Sequence, residues 1–318
     1  MKAVRIHAPN QMQLDDIAIP QPGAGEVRVR LEYAGLNFID IYQRSGVYPL
    51  PLPATLGMEG AGTVDALGEG VTILELGQRV AYTMTRGSYA AYAIVSAKNL
   101  VTLPETISTK LAAATMLQGM TAHYLAFSTY RHEAGDTALI HAAAGGVGQL
   151  LVQMAKRAGA VVVATVGSAE KAQIVKNLGA DVVIDYRRED FVIESKKYFP
   201  KGFDVIYDSV GKDTFMRGLD LLKPRGMMVL YGGSSGQVEP LDLQILNAKG
   251  SLFVTRPSLG HYISDREELE WRAAEVFDWL ATGQLRLEID KIFALEDAAS
   301  AHAYIESRQT KGKVLLKI

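Results

Sequence analysis

Thr137-Ala-Leu-Ile-His-Ala-Ala-Ala-Gly-Gly-Val-Gly148 is the stretch from which the rest of the chain can be ordered. Its first part, Thr137 to Ala142, is an apolar run with the length of a strand buried on both faces. Gly145-Gly146-Val147-Gly148 follows directly, and a helical pattern then continues from Val147 to Arg157 with Gly159 as its stop. In such a turn the first helix amides have no acceptor within the helix, and the backbone dipole adds partial positive charge. That combination suits the pyrophosphate of a dinucleotide. Gly145 lets the backbone approach the ligand, Gly146 and Val147 bring amides to it, and Gly148 lets the helix press onto the strand. One departure from the GxGxxG pattern is Ala143, which stands where the first glycine would be.

Downstream, strand-like and helix-like segments alternate. Val161 to Val166 is followed by a helix from Ala169 to Leu178 that stops at Gly179, and then by a strand from Val182 to Ile184. A helix-like stretch, the strand Asp204 to Tyr207, a helix near Thr214 to Leu222 and the strand Met227 to Tyr231 complete the series. Right-handed βαβ units of this kind predict an α/β domain with a doubly wound parallel sheet, a Rossmann fold. Upstream the chain reads as β-rich. Val27 to Tyr33 alternates apolar and charged residues, and Gly60 to Leu67, Arg79 to Thr83 and Tyr89 to Val95 are further short strands. Pro49, Pro51 and Pro53 mark an irregular loop, and Ser108 is placed to cap the first long helix. Beyond Pro257 the pattern is helical at Glu267 to Leu280 and Leu295 to Glu306. It ends in the strand Lys313 to Ile318, which is expected to pack back onto the first domain.

Composition narrows the classes of function. The chain has 318 residues, room for two ordinary domains, and its 33 basic and 35 acidic residues leave a net charge of −2. Without a basic stripe, neither nucleic acid nor an anionic membrane surface is an expected partner. With no cysteine there is no disulfide, thiolate ligand or cysteine nucleophile. The N-terminal residues lack the apolar core of a secretion signal, and no apolar run approaches the roughly 20 residues that span a bilayer. A soluble, cytoplasmic protein is expected.

The end of the second strand of the series separates two nucleotides. An NAD site places a carboxylate there to grip the ribose hydroxyls. Here the strand ends Thr165-Val166-Gly167-Ser168, with Glu170 and Lys171 one turn into the helix, and the next strand ends Asp185-Tyr186-Arg187-Arg188. Ser168, Lys171 and Tyr186 offer the hydroxyls and cation that a 2′-phosphate needs, so NADPH is the expected cofactor. Ser209, after the fourth strand, and Gly232, Ser234 and Ser235, after the fifth, fall at the same carboxyl edge.

The chain resembles the medium-chain dehydrogenase/reductase superfamily and, within it, the zinc-free quinone oxidoreductases related to zeta-crystallin. Ala34-Gly35-Leu36-Asn37-Phe38-Ile39-Asp40, Arg44-Ser45-Gly46-Val47-Tyr48, the glycine turn, Tyr207-Asp208-Ser209-Val210-Gly211 and Val254-Thr255-Arg256-Pro257-Ser258-Leu259 carry the likeness. It implies a GroES-like domain over residues 1–120, completed by 258–318, and a Rossmann domain over 121–257, with NADPH in a cleft between them and a homodimer joined at sheet edges. It also implies that Asn37, Phe38, Asp40 and Tyr42 line the nicotinamide end, with Asn37, Tyr42 and Tyr48 as hydrogen-bond donors to an acceptor carbonyl. Asp40 can equally cap a helix. Tyr124, Phe253 to Leu259 and Arg308 match cofactor positions of that family. Its zinc-dependent branch carries cysteine where this chain has Asn37, and histidine where it has Met58, so no metal is expected. Without a Lewis acid to hold an alkoxide, quinones or enones are better acceptors than alcohols are donors, because conjugation already spreads the developing charge. The expected activity is NADPH-dependent quinone reduction. A 2-alkenal or enoyl reductase and a non-catalytic NADPH-binding protein are the alternatives.

Overall fold

The chain, described over Met1–Ile318 in a computed structural model, begins as a run of short strands. These are β1 (Lys2–Ala8), β2 (Gln11–Asp16), β3 (Glu26–Gly35), β4 (Ala54–Thr55), β5 (Glu59–Leu67), β6 (Arg79–Thr83), β7 (Tyr92–Ser96) and β8 (Val101–Thr102). Helix α1 (Phe38–Ser45) leaves β3, and α2 (Thr109–Tyr124) follows β8. The period-two pattern of β3 does what it implies: Val27, Val29 and Leu31 are buried, whereas Arg28 turns out to meet Asp65 at 2.6 Å. Those three join Val64, Val80, Tyr82 and Val95 in one core.

The chain divides into two compact units, Met1–Met120 with Tyr262–Ile318, and Thr121–His261. The second unit contains β9 (Thr137–Ile140), α3 (Gly146–Arg157), β10 (Val161–Val166), α4 (Ala169–Asn177), β11 (Val182–Asp185) and α5 (Phe191–Tyr198). It continues with β12 (Phe203–Asp208), α6 (Phe215–Gly218), β13 (Leu222–Leu230), α7 (Gln244–Ala248) and β14 (Phe253–Thr255), and its boundary falls within the short α8 (Leu259–Tyr262). The six strands are all parallel and lie in the order β11-β10-β9-β12-β13-β14. Chain direction across the sheet reverses between β9 and β12, and ligands bind beyond the carboxyl ends of strands at such a reversal. Leu139, Val163, Ile184, Ile206 and Met228 carry one face of this sheet into the core.

The first unit is completed by α9 (Arg266–Ala281), β15 (Ile289–Ala294), α10 (Ala298–Glu306) and β16 (Lys313–Lys317). Leu315 of β16 pairs with Gly35 of β3, so the end of the chain becomes an internal strand of the order β15-β16-β3-β5-β6-β8, with β7 alongside β3. A separate sheet has the order β2-β1-β4. No helix is long and apolar enough to cross a membrane.

Two elements differ from the sequence reading. The helix expected near Thr214 to Leu222 is only α6, followed by a 3-10 turn over Leu219–Leu221, with β13 starting at Leu222. Leu219, Leu221 and Leu222 are all buried, and their run of apolar residues mimics a continuing helix. The strand expected over Tyr89 to Val95 starts at Tyr92, since Tyr89 and Ala90 turn toward β1 and bridge it at Ala3.

Candidate functional site

The glycine turn leaves β9 with Ala142 in the left-handed region at φ 51° and reaches α3 through an extended Gly145. Gly145 has no side chain to accept from the helix, and the first intrahelical bond is Gln149 N–H to the Gly145 carbonyl at 2.9 Å. The amides of Gly146, Val147 and Gly148 therefore precede it, aligned with the helix dipole. A Cβ on Gly148 would lie 2.6 Å from the Ala142 oxygen and 2.7 Å from Ala143 Cα, so only glycine lets helix and turn close up. The Gln149 amide pins the turn by donating to the Ala144 carbonyl at 2.9 Å.

At the neighbouring strand ends, Val166 of β10 lies opposite Asp185 of β11, and Tyr186 N–H donates to the Val166 carbonyl at 3.1 Å. Gly167, Ser168, Lys171 and Tyr186 are thereby gathered at one edge. The Tyr186 hydroxyl end lies over Gly167, with the residue 47% exposed. Ser168 caps α4, its hydroxyl accepting the Lys171 N–H at 3.2 Å. The nearby Asp185 carboxylate is turned to the Arg187 amide at 3.1 Å and the Arg188 guanidinium at 3.7 Å. An uncapped α3 next to hydroxyls and a cation fits a dinucleotide carrying a 2′-phosphate.

Ser209, Gly232 and Ser234 also reach the carboxyl edge, on two loops that are stitched together. Ser234 N–H donates to the Ser209 carbonyl at 3.1 Å, and Ser235 N–H to the Val210 carbonyl at 2.9 Å. The Ser235 side chain is engaged within the two loops. Its hydroxyl donates to the Val210 carbonyl at 2.8 Å and accepts from Asp213 N–H at 3.1 Å, which makes it a clamp between the loops. Phe253 starts β14 opposite Met227 and is 56% exposed on the edge strand. Tyr124 and Leu259 are buried, and Arg308 sits exposed in the first unit beyond α10, at φ 60°.

In the first unit, α1 presents an aromatic face. Phe38 and Tyr42 have ring centroids 6.2 Å apart, and Tyr48 packs edge-on to Tyr42 at 5.3 Å. The Tyr48 amide donates to the Tyr42 carbonyl at 3.0 Å, which ties the following turn to the helix. Phe38 and Tyr48 remain exposed.

Asn37 and Asp40, expected on the same face, are instead buried beneath it. Asp40 caps α1: one carboxylate oxygen accepts the Asn37 backbone N–H at 2.9 Å and the Tyr89 hydroxyl at 3.1 Å. Burial pushes Asp40 up to about 7, against these two bonds, which favour its anion. Tyr89 continues the chain to His302 at 3.2 Å, and burial pulls that imidazole down to about 3, keeping it neutral. Both side-chain amide protons of Asn37 are committed, to the Gly35 carbonyl at 3.2 Å and to Glu59 at 2.9 Å. That corrects its expected role as a donor to substrate.

Asn37 belongs to a charge cluster that sequence reading missed. Lys313, wholly buried on β16, donates to Glu59 at 2.6 Å and to the Asn37 side-chain oxygen at 2.8 Å. The second oxygen of Glu59 accepts the Leu117 N–H of α2 at 2.6 Å. Gln118 donates to the Asn37 oxygen at 3.3 Å. Burial pulls the Lys313 ammonium below its ordinary range, while Glu59 and Asp40 push it back up. A lysine directly before Val314-Leu315-Leu316 in an otherwise apolar strand was the available signal.

Residues 23–105 match the alcohol dehydrogenase GroES-like domain, and residues 146–277 match the zinc-binding dehydrogenase family. Zinc does not suit the residues present. The two liganding positions hold an amide, Asn37, and a thioether, Met58, and an ammonium already sits on Glu59. Nor is there any group of three His, Cys, Asp or Glu side chains arranged to hold a metal ion. A quinone oxidoreductase of Pseudomonas aeruginosa is 45% identical over 311 residues, 97% of this chain and 96% of the relative. A 2-haloacrylate reductase of a Burkholderia species is 39% identical over 97% of this chain and 95% of its own length. The crystal structure of an Escherichia coli quinone oxidoreductase complexed with NADPH superposes with a TM-score of 0.97 at 43% identity, covering 100% of both chains. On likeness this close along its whole length, the chain belongs to the quinone oxidoreductases of the medium-chain dehydrogenase/reductase superfamily.

Proposed function

We propose that this protein is an NADPH-dependent reductase of quinones, working without a metal. One observation carries the reading: α3 begins uncapped, beside a β10/β11 edge that presents Ser168, Lys171 and Tyr186 and has no carboxylate at the tip of β10. The names of the relatives support the acceptor class, and the NADPH in the Escherichia coli structure supports the cofactor.

When bound, NADPH supplies the hydride. The amides of Gly146, Val147 and Gly148 hold its pyrophosphate, and Ser168, Lys171 and Tyr186 hold its 2′-phosphate. On α1, Phe38 and Tyr42, with Tyr48 beyond them, offer an aromatic face and phenol hydroxyls. They stack the acceptor ring and donate to the carbonyl oxygen on which negative charge develops. Asp40 and Asn37 act beneath that face by fixing the helix that carries it. We further propose a cytoplasmic homodimer whose β14 edges pair, and sedimentation of the wild-type chain against an edge-strand Phe253→Lys variant tests the dimer.

Anaerobic NADPH oxidation with a panel of quinones, 2-alkenals and 2-haloacrylates tests the activity. Turnover highest with quinones and unchanged by chelator is expected. Turnover confined to the alkenals or haloacrylates would move the chain to the second reading, which the 39% identical 2-haloacrylate reductase favours. No oxidation with any acceptor would leave only a nucleotide-binding protein.

A further inference from the structure

The Lys313–Glu59 pair below α1 has no part in the reaction as proposed so far, and its chemistry is unusual for a structural element. Removing an ammonium and a carboxylate from water costs several kcal/mol per ion, and their attraction often only offsets that cost. Here the pair is fully enclosed and spans the chain, Lys313 coming from β16 and Glu59 from β5. Room has been made for it. A Cβ on Gly35 would fall 2.1 Å from a Glu59 carboxylate oxygen and 2.4 Å from the Ala113 carbonyl. What the cluster achieves is orientation. Lys313 holds the oxygen of the Asn37 amide and Glu59 holds its nitrogen, so the amide has one permitted direction. The Asn37 backbone N–H is fixed in turn by Asp40. Asn37 is the N-cap of α1, so three contacts set where the helix starts and which way its Phe38 and Tyr42 face.

We propose that the Lys313 ammonium positions the aromatic face of α1 for the acceptor, by fixing the Asn37 amide at the start of that helix. Lys313 is thus a positioning residue: it acts through Asn37 and touches neither substrate nor cofactor.

The inference rests on the reading that this aromatic face receives the acceptor, so its test needs one readout that does not depend on turnover. Lys313→Met keeps the volume and removes the charge. It is expected to raise the KM for the quinone about tenfold, with the NADPH dissociation constant within about twofold of wild type. Lys313→Ala leaves a cavity lined by Glu59 and the Asn37 oxygen. Ethylammonium is expected to raise the thermal midpoint of this variant and to lower its quinone KM, whereas tetramethylammonium at equal ionic strength, too large and lacking N–H donors, does neither. Unchanged quinone kinetics in Lys313→Met, even with a lower thermal midpoint, would reduce the cluster to a structural role and overturn the proposal. Equal responses to the two ammonium ions would also overturn it, as would insoluble variants that ethylammonium does not recover. A wild-type chain that turns over no quinone defeats the functional reading alone, because the ammonium-dependent midpoint still reports on the cation site.

Discussion

Helix α1 closes its own N-terminus, and helix α3 leaves its N-terminus open. At α1, Asp40 folds back on the Asn37 N–H, and the Asn37 side chain is held by Lys313 and Glu59. At α3 the cap is Gly145, with no side chain, and three amides precede the first intrahelical bond. The cap residue of α1 thus has its backbone N–H and its side chain engaged by buried side chains, whereas the cap residue of α3 offers no side chain. Where the protein spends buried charge to satisfy a helix start, that start is fixed for the residues it carries. Where it supplies a glycine, the partner comes from outside.

The contrast can be broken most forcefully at Gly35. Gly35→Ala drives a methyl group into Glu59 and the Ala113 carbonyl, and is expected to cost about 3 kcal/mol of stability in urea unfolding. NADPH affinity should survive in the protein that remains folded, since α3 is untouched. Gly148→Val is the converse. Its side chain meets the backbone of Ala142 and Ala143, and NADPH affinity is expected to fall about a hundredfold by fluorescence titration, near 2.7 kcal/mol. Equal loss of quinone reactivity and of α1 packing in that variant would contradict the division of labour.

Lys171→Glu sharpens the comparison within the second unit. Reversing one charge beside Ser168 is expected to raise the KM for NADPH about tenfold and leave that for NADH nearly unchanged. Equal losses with both would show that the lysine does not read the phosphate. A separate test is pH. In the unfolded chain Asp40 returns to its ordinary value of 3.8, whereas folding raises it to about 7. Between those values the native state holds the extra proton, so this group's contribution is full below pH 4 and is lost as pH rises through 7. Asp40→Asn, which keeps an acceptor for Asn37 and Tyr89, should lose that dependence. Its stability relative to wild type should rise between pH 4 and 7 by at most about 1.4 kcal/mol per pH unit. Parallel profiles would mean Asp40 is ionised in the fold.

The sequence made the second unit legible because its signals are local. The glycine turn, the continuous apolar run Val161 to Val166 and the helix stops at Gly159 and Gly179 each depend on a few adjacent residues. Its outermost strand, β14, escaped because three residues are too short for any period. The hairpin β1/β2 escaped because its turn rests on Asn10 at φ 62°, without a glycine to announce it. In the first unit, resemblance alone points to Tyr42, Tyr48 and Asn37, and the enclosure of Asn37 has no local signal. Its partners Glu59 and Lys313 are remote in sequence, and isolated charges ordinarily face water. Local pattern locates an open helix start, whereas a closed one is completed by residues that only the fold brings together.

Titration calorimetry of the wild-type chain with NADPH and with NADH tests the central claim most directly. An open α3 beside Ser168, Lys171 and Tyr186 predicts NADPH bound at least about tenfold more tightly, with the advantage shrinking as salt is raised. Equal affinity for the two nucleotides, or no binding of either, would contradict it.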